Sequence, residues 1–148
     1  MNKIHIIILL VLALIVYSCD PSTIAHVNVY TTNETDNNFK IKVVSLAQND
    51  SCEYVEVPPK ANRQKIWNYR TVEGAGYAGV ERIKIYLYNS VDSTSLVLDN
   101  YQNLENYQKF VSETSYMKYG DTEYEIDVNV NISNDMLILM SKKNVVNK

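Results

Sequence analysis

Histidine and cysteine are scarce in this chain, with two of each among 148 residues. His5 falls in an apolar leader, so the rest of the chain has only His26, in a strand-like run between Ala25 and Val27. Zinc sites usually draw on several histidines and cysteines, and that ligand set is missing. A serine or cysteine nucleophile with a histidine base has only His26 to use, and no G-x-S-x-G elbow is present. His26 therefore reads as a structural strand residue. Glycine and proline are equally sparse, at 4 and 3, and there are no internal repeats or low-complexity tracts.

A long hydrophobic run is also lacking. The apolar stretch from Ile4 to Val16 spans roughly 20 Å as a helix, against the roughly 30 Å of hydrocarbon a spanning helix must cross. With Lys3 before it and Ser18 after it, the stretch has the parts of an export signal instead. The run that follows, Val16-Tyr17-Ser18-Cys19, resembles the lipobox of bacterial lipoproteins, with Tyr17 its least typical member. That resemblance implies cleavage before Cys19, a diacylglycerol thioether on its sulfur and an acyl chain, such as palmitate, on the new amine. Each buried methylene contributes about 0.8 kcal/mol, so several chains hold a protein where one would be marginal. The expected organisation is a signal peptide over 1–18, a lipidated tether over 19–23, one domain over 24–140 and a basic tail over 141–148.

Lys3 is the only charge in the leader, so the mature chain is more acidic than the whole, whose net charge is −3. Nucleic acid is not expected as a partner. With Cys19 lipidated, Cys52 has no intramolecular partner, and the domain has no disulfide to rely on. A small buried apolar residue is the expected role of Cys52.

Six stretches alternate or cluster β-branched and aromatic residues: 24–31, 38–46, 53–57, 63–70, 81–88 and 94–98. A seventh, TEYEIDVNV from Thr122, is the clearest, and NDMLILM from Asn134 is either an eighth or a terminal helix. Between them lie a polar run from Thr32 to Asn38, the cluster Asn49-Asp50-Ser51 and the pair Pro58-Pro59, which cannot continue a central strand. Strands at short spacing without helical crossovers predict an all-β fold. The expected form is a single antiparallel β-sandwich, Ig-like or a partly open barrel, of about seven strands. The exception is Tyr101 to Val111, where Leu104, Tyr107 and Val111 share a helical face behind Asp99 and Asn100 as caps; a short helix or structured loop is expected.

Four patterns bear on chemistry. Gly74-Ala75-Gly76-Tyr77-Ala78-Gly79 has the literal G-x-G-x-x-G spacing, but a strand pattern follows it instead of a helix, so no nucleotide or other cofactor is expected. Three of the 4 glycines gather there, and Gly74, Gly76, Tyr77 and Gly79 make that loop a candidate binding edge. Asp121, Glu123, Glu125 and Asp127 recur with period two, standing about 7 Å apart on one strand face, which fits a solvated face better than a calcium loop. Neutralising lysines and arginines are expected from 81–88, with Arg82 and Lys84, ahead of 38–46, with Lys40 and Lys42. The single tryptophan, Trp67, is expected to be buried; exposed together with Tyr69, Tyr77, Tyr86 and Tyr88 it would instead form a sugar-stacking platform. Acids are plentiful enough for a glycosidase pair, but sequence does not pair them.

The lipobox, the polar TTNETDNNFKIKV leading into a strand, VEVPPKANRQ and LDNYQNLENYQKF before TEYEIDVNV together resemble the small envelope lipoproteins abundant in Bacteroidota. That resemblance spreads loosely over 19–140 and implies a β-rich envelope domain with nothing catalytic. The single acid after Cys19 is unlike the acidic run of surface-export signals in that phylum, so the periplasmic side of the outer membrane is expected. Asp92-Ser93-Thr94 also resembles the short O-glycosylation motif of the phylum. The expected function is a lipid-anchored, non-enzymatic binding or structural module, with an envelope protein or glycan as partner. The alternative is a glycan-binding accessory lipoprotein using Trp67 and neighbouring tyrosines.

Overall fold

Period-two alternation produces most of the chain's structure. The computed structural model of the protein describes residues 23–73, 82–119 and 123–146. In β2 (Phe39–Ser45) and β6 (Ile83–Asn89) every second residue is buried, placing Phe39, Ile41 and Val43 beside Ile83, Ile85 and Leu87. The intervening Lys40, Lys42, Lys84, Tyr86 and Tyr88 project from the opposite face. β1 (Thr23–Asn33) and β9 (Glu123–Ile132) do the same with Val27, Val29, Ile126 and Val128 inward.

The remaining strands are β3 (Asp50–Ser51), β4 (Val55–Val57), β5 (Gln64–Glu73), β7 (Ser95–Asp99) and β8 (Val111–Tyr119). They form two mostly antiparallel sheets, neither closed into a barrel. Sheet I has the order β5-β1-β9-β8; sheet II has the order β3-β2-β6-β7, with β4 also on β2. The chain crosses repeatedly between them, and one buried cluster draws residues from both. Burying those side chains contributes about 1.5–3 kcal/mol for each fully covered Ile, Leu or Val.

Two helices complete the described residues, α1 (Leu104–Phe110) and α2 (Asn134–Val146). The α1 segment buries Tyr107 and Phe110, and α2 buries Met136 and Met140, one helical turn apart, in the same cluster. Lys109 and Asp135 link the two helices at 3.5 Å.

Several expectations are settled or corrected. Residues 134–140 are helix, one of the two forms expected, and α2 continues to Val146, into the segment expected to be a basic tail. Asp50-Ser51, expected as turn, makes a short pairing with β2, and the turn falls on Asn49 at φ 51°, a backbone asparagine tolerates. Asp99 does not cap α1 directly: its carboxylate accepts the N–H groups of Tyr101 and Gln102 in the preceding turn, at 2.9 and 3.0 Å. Val111 ends the helix and opens β8, which carried no strand signal because Ser112 to Met117 are exposed on both faces. The pairing of β1 with β9 is parallel, not antiparallel.

Candidate functional site

Two outer faces carry the polar and aromatic side chains left over from the core. On sheet I, alternation along β1, β5 and β9 sends Asn28, Lys65, Glu125 and Asp127 outward, and Arg63, just before β5, joins them. Asn28 is at the centre, 8% exposed: its Nδ2 donates to Glu125 Oε1 at 2.8 Å and Asp127 Oδ1 at 3.3 Å. Its Oδ1 accepts from Lys65 Nζ at 2.9 Å, and Arg63 Nη2 donates to Asp127 Oδ2 at 2.8 Å. Arg63 also lies 4.3 Å from the Tyr30 ring centre. The network is internally satisfied, each donor facing an acceptor.

Glu123, Glu125 and Asp127 share the outer face of β9, with Ile126 and Val128 packed inward, but the face is not the solvated one expected: Glu123 and Glu125 are half-buried, Asp127 is buried, and the counter-charge comes from elsewhere. Arg82, Lys84, Lys40 and Lys42 all belong to sheet II. Arg63, just before β5, pairs with Asp127 across β1, while Lys65 of β5 reaches Asn28 between them, and Asp127 is buried beneath. Asp121 lies outside the described residues.

His26 is half-buried at the far end of the same face, with Arg70 and Glu125 as its cross-strand neighbours. These three line a shallow groove of about 420 Å³ with Asn28 and Asn68.

On sheet II the outer face is aromatic. Cross-strand register places Tyr88 between Lys40 and Ser95, and Tyr86 between Lys42 and Val97. Tyr54, just before β4, leans over the same rows: it is 52% exposed, with Lys42 Nζ 5.9 Å above its ring. These side chains line an open groove of about 370 Å³, with Lys40, Tyr54, Tyr86, Tyr88, Ser95 and Val97 around it. Lys40 Nζ is 3.7 Å from Glu56 Oε1, whose side chain is 82% exposed. One row away, Lys84 is fixed to Asp99 at 3.1 Å. Burial pushes the Asp99 carboxyl upward, but the N–H groups of Gln102 and Tyr101 and the Lys84 ammonium outweigh it, and the carboxyl sits below its ordinary value.

The sequence-expected aromatic set is thus divided. Trp67 and Tyr69 stack at 4.4 Å between ring centres, on the face of β5 that pairs with Val29 and Val27. Tyr69 is buried and Trp67 is half-buried against the core. Tyr86 and Tyr88 belong to the other sheet and meet Tyr54, which sequence reasoning did not single out. Gly74, Gly76, Tyr77 and Gly79 lie outside the described residues, as does Cys19.

Cys52 is buried, and its Sγ accepts the Val43 N–H at 3.1 Å. Burial pushes its thiol above the ordinary value. Tyr107 is held protonated by burial and by its bond to Glu113 Oε1 at 2.7 Å. Among the described residues no group of His, Cys, Asp and Glu is arranged to hold a metal ion, and no helix is long and apolar enough to cross a membrane. No protein-family model matches the chain, and no curated protein is found to be similar to it.

Proposed function

We propose that the protein is a lipid-anchored, non-enzymatic binding module of the cell envelope. In this reading it is a β-sandwich held to the outer membrane through Cys19, with the tyrosine groove of sheet II as its ligand-facing surface. The lipobox supports the anchor. A single buried cluster fed by both sheets supports the sandwich. The observation that carries the binding role is the groove itself: Tyr86 and Tyr88 of β6 and Tyr54, just before β4, converge on the outer face of sheet II. Rings placed there supply contact area with little conformational entropy to lose.

A photo-crosslinking residue at Ser95, on the groove rim, tests the binding role in intact cells. A discrete adduct is expected, and Tyr86→Ala with Tyr88→Ala should abolish it. Loss of the adduct in wild type, or an equal adduct from a probe at Ser112 on β8, would overturn the assignment of the groove. Feeding cells a fatty-acid analogue tests the anchor separately: wild type should take up label and Cys19→Ala should not.

A further inference from the structure

We infer that the sheet II groove binds an acidic saccharide, its tyrosine rings against the sugar faces and Lys40 and Lys42 against the carboxylates. This inference rests on the groove being the ligand face proposed above. Three features of the site lead to it.

The first is the lining. Tyr54, Tyr86 and Tyr88 offer flat apolar area with a polar edge. A sugar ring has the matching form, an apolar C–H face inside a polar perimeter.

The second is charge. The chain carries a net −3, yet the groove presents cations. Lys42, beside the lining and opposite Tyr86, has its ammonium above the Tyr54 ring, with no carboxylate within salt-bridge distance among the described residues. Lys40 holds only the outward-facing Glu56, at 3.7 Å. So exposed a pair contributes little and exchanges readily for another anion. Lys84, one row away and already engaged by Asp99, shows what a committed lysine looks like on this face.

The third is position. β2 pairs with β6 on one side and with β3 and β4 on the other, and β6 pairs with β7. The strand that carries Tyr86 and Tyr88 is therefore paired on both sides, and a peptide could add as a strand only at the rim, along the outer edge of β7 and away from the rings. A saccharide needs no strand edge, because stacking and side-chain pairing suffice.

Isothermal titration calorimetry of the full chain in detergent, with oligogalacturonate as probe, tests the inference. Binding is expected to weaken as salt rises, because exposed lysines carry the charge term. Tyr88→Ala should weaken it about tenfold at any salt concentration. Lys40→Met should flatten the salt dependence. Glu56→Gln should tighten binding about threefold by removing the internal competitor for Lys40. Lys40 and Glu56 are exposed, so both variants should keep the wild-type urea midpoint, which separates a binding defect from misfolding.

No heat of binding with oligogalacturonate, or equal affinity for an uncharged glucan oligomer, would overturn the inference. Equal affinity for polyglutamate would overturn it too, in favour of an acidic peptide. If the Ser95 adduct in cells persists through any of these results, the groove remains the ligand face and only the ligand class is wrong. If the adduct is absent as well, the reading beneath it has failed.

Discussion

On the outer face of sheet I, Asn28 joins Lys65, Glu125 and Asp127 in one hydrogen-bonded set, and Arg63 closes it. On the outer face of sheet II, Tyr54, Tyr86 and Tyr88 stand around lysines that no comparable network claims. Both faces arise from the same period-two alternation and have the same strand spacing. Amide and carboxylate groups on neighbouring strands satisfy one another, so the first face is chemically complete without a ligand. Phenol rings beside ammonium groups leave area and charge unmatched. The first face is therefore assigned to stability, and the second is the one the proposed binding role draws on.

The largest effect that tests this division should come from Asn28→Ala. Glu125, Lys65 and the buried Asp127 lose their common partner, and the urea midpoint should fall by the equivalent of about 1–3 kcal/mol. A loss no larger than that of a groove tyrosine would erase the contrast. Next comes Asp99→Asn, which removes the one buried ion pair on the sheet II side among the described residues. At pH 7 it should cost about 1.5 kcal/mol.

Because the Asp99 carboxyl lies below its ordinary value when folded, its contribution is present above about pH 3.9, the unfolded value. It is lost as pH falls through the folded value. The gap between wild type and Asp99→Asn should therefore close on acidification, and a gap that widened would reverse the assignment. Tyr54→Ala should change stability by about 0.5 kcal/mol or less, its ring being half in solvent, while groove binding falls. Lys40→Met should be smallest, at about 0.3 kcal/mol or less, since Glu56 is almost fully exposed. A larger loss from either would mean that sheet II's outer face also holds the fold.

The two faces were unequally legible in the sequence. The alternation in FKIKVVS, IKIYLY and EIDVNV matches the residues that β2, β6 and β9 bury in the core, because burial on one face writes directly into residue order. Which strands lie together is not written there. The acids of β9 were matched to lysines with a suitable pattern, whereas their partners are Asn28 on β1 and Arg63, just before β5. The tyrosine groove was missed for the same reason, since Tyr54 lies far in sequence from Tyr86 and Tyr88. Trp67 and Tyr69 are near neighbours in sequence and turn toward the core. The β8 strand had no signal to find: Ser112 to Met117 face solvent on both sides, and nothing apolar alternates. The α2 helix had one, in the spacing of Met136 and Met140.

The first described strand is also the most enclosed. β1 lies between β5 and β9, with ladders running from Thr23 to Thr31 on one side and from Ile24 to Asn33 on the other. Its hydrogen bonds lie across the strand direction, so tension applied at Thr23 along the strand loads both ladders in shear, many bonds at once. An edge strand such as β8 would share the same pull over one ladder only. A domain hung from a membrane by the residues just before β1 would take mechanical load at its strongest seam, and the lysines and tyrosines of sheet II would keep their arrangement while the tether is under strain.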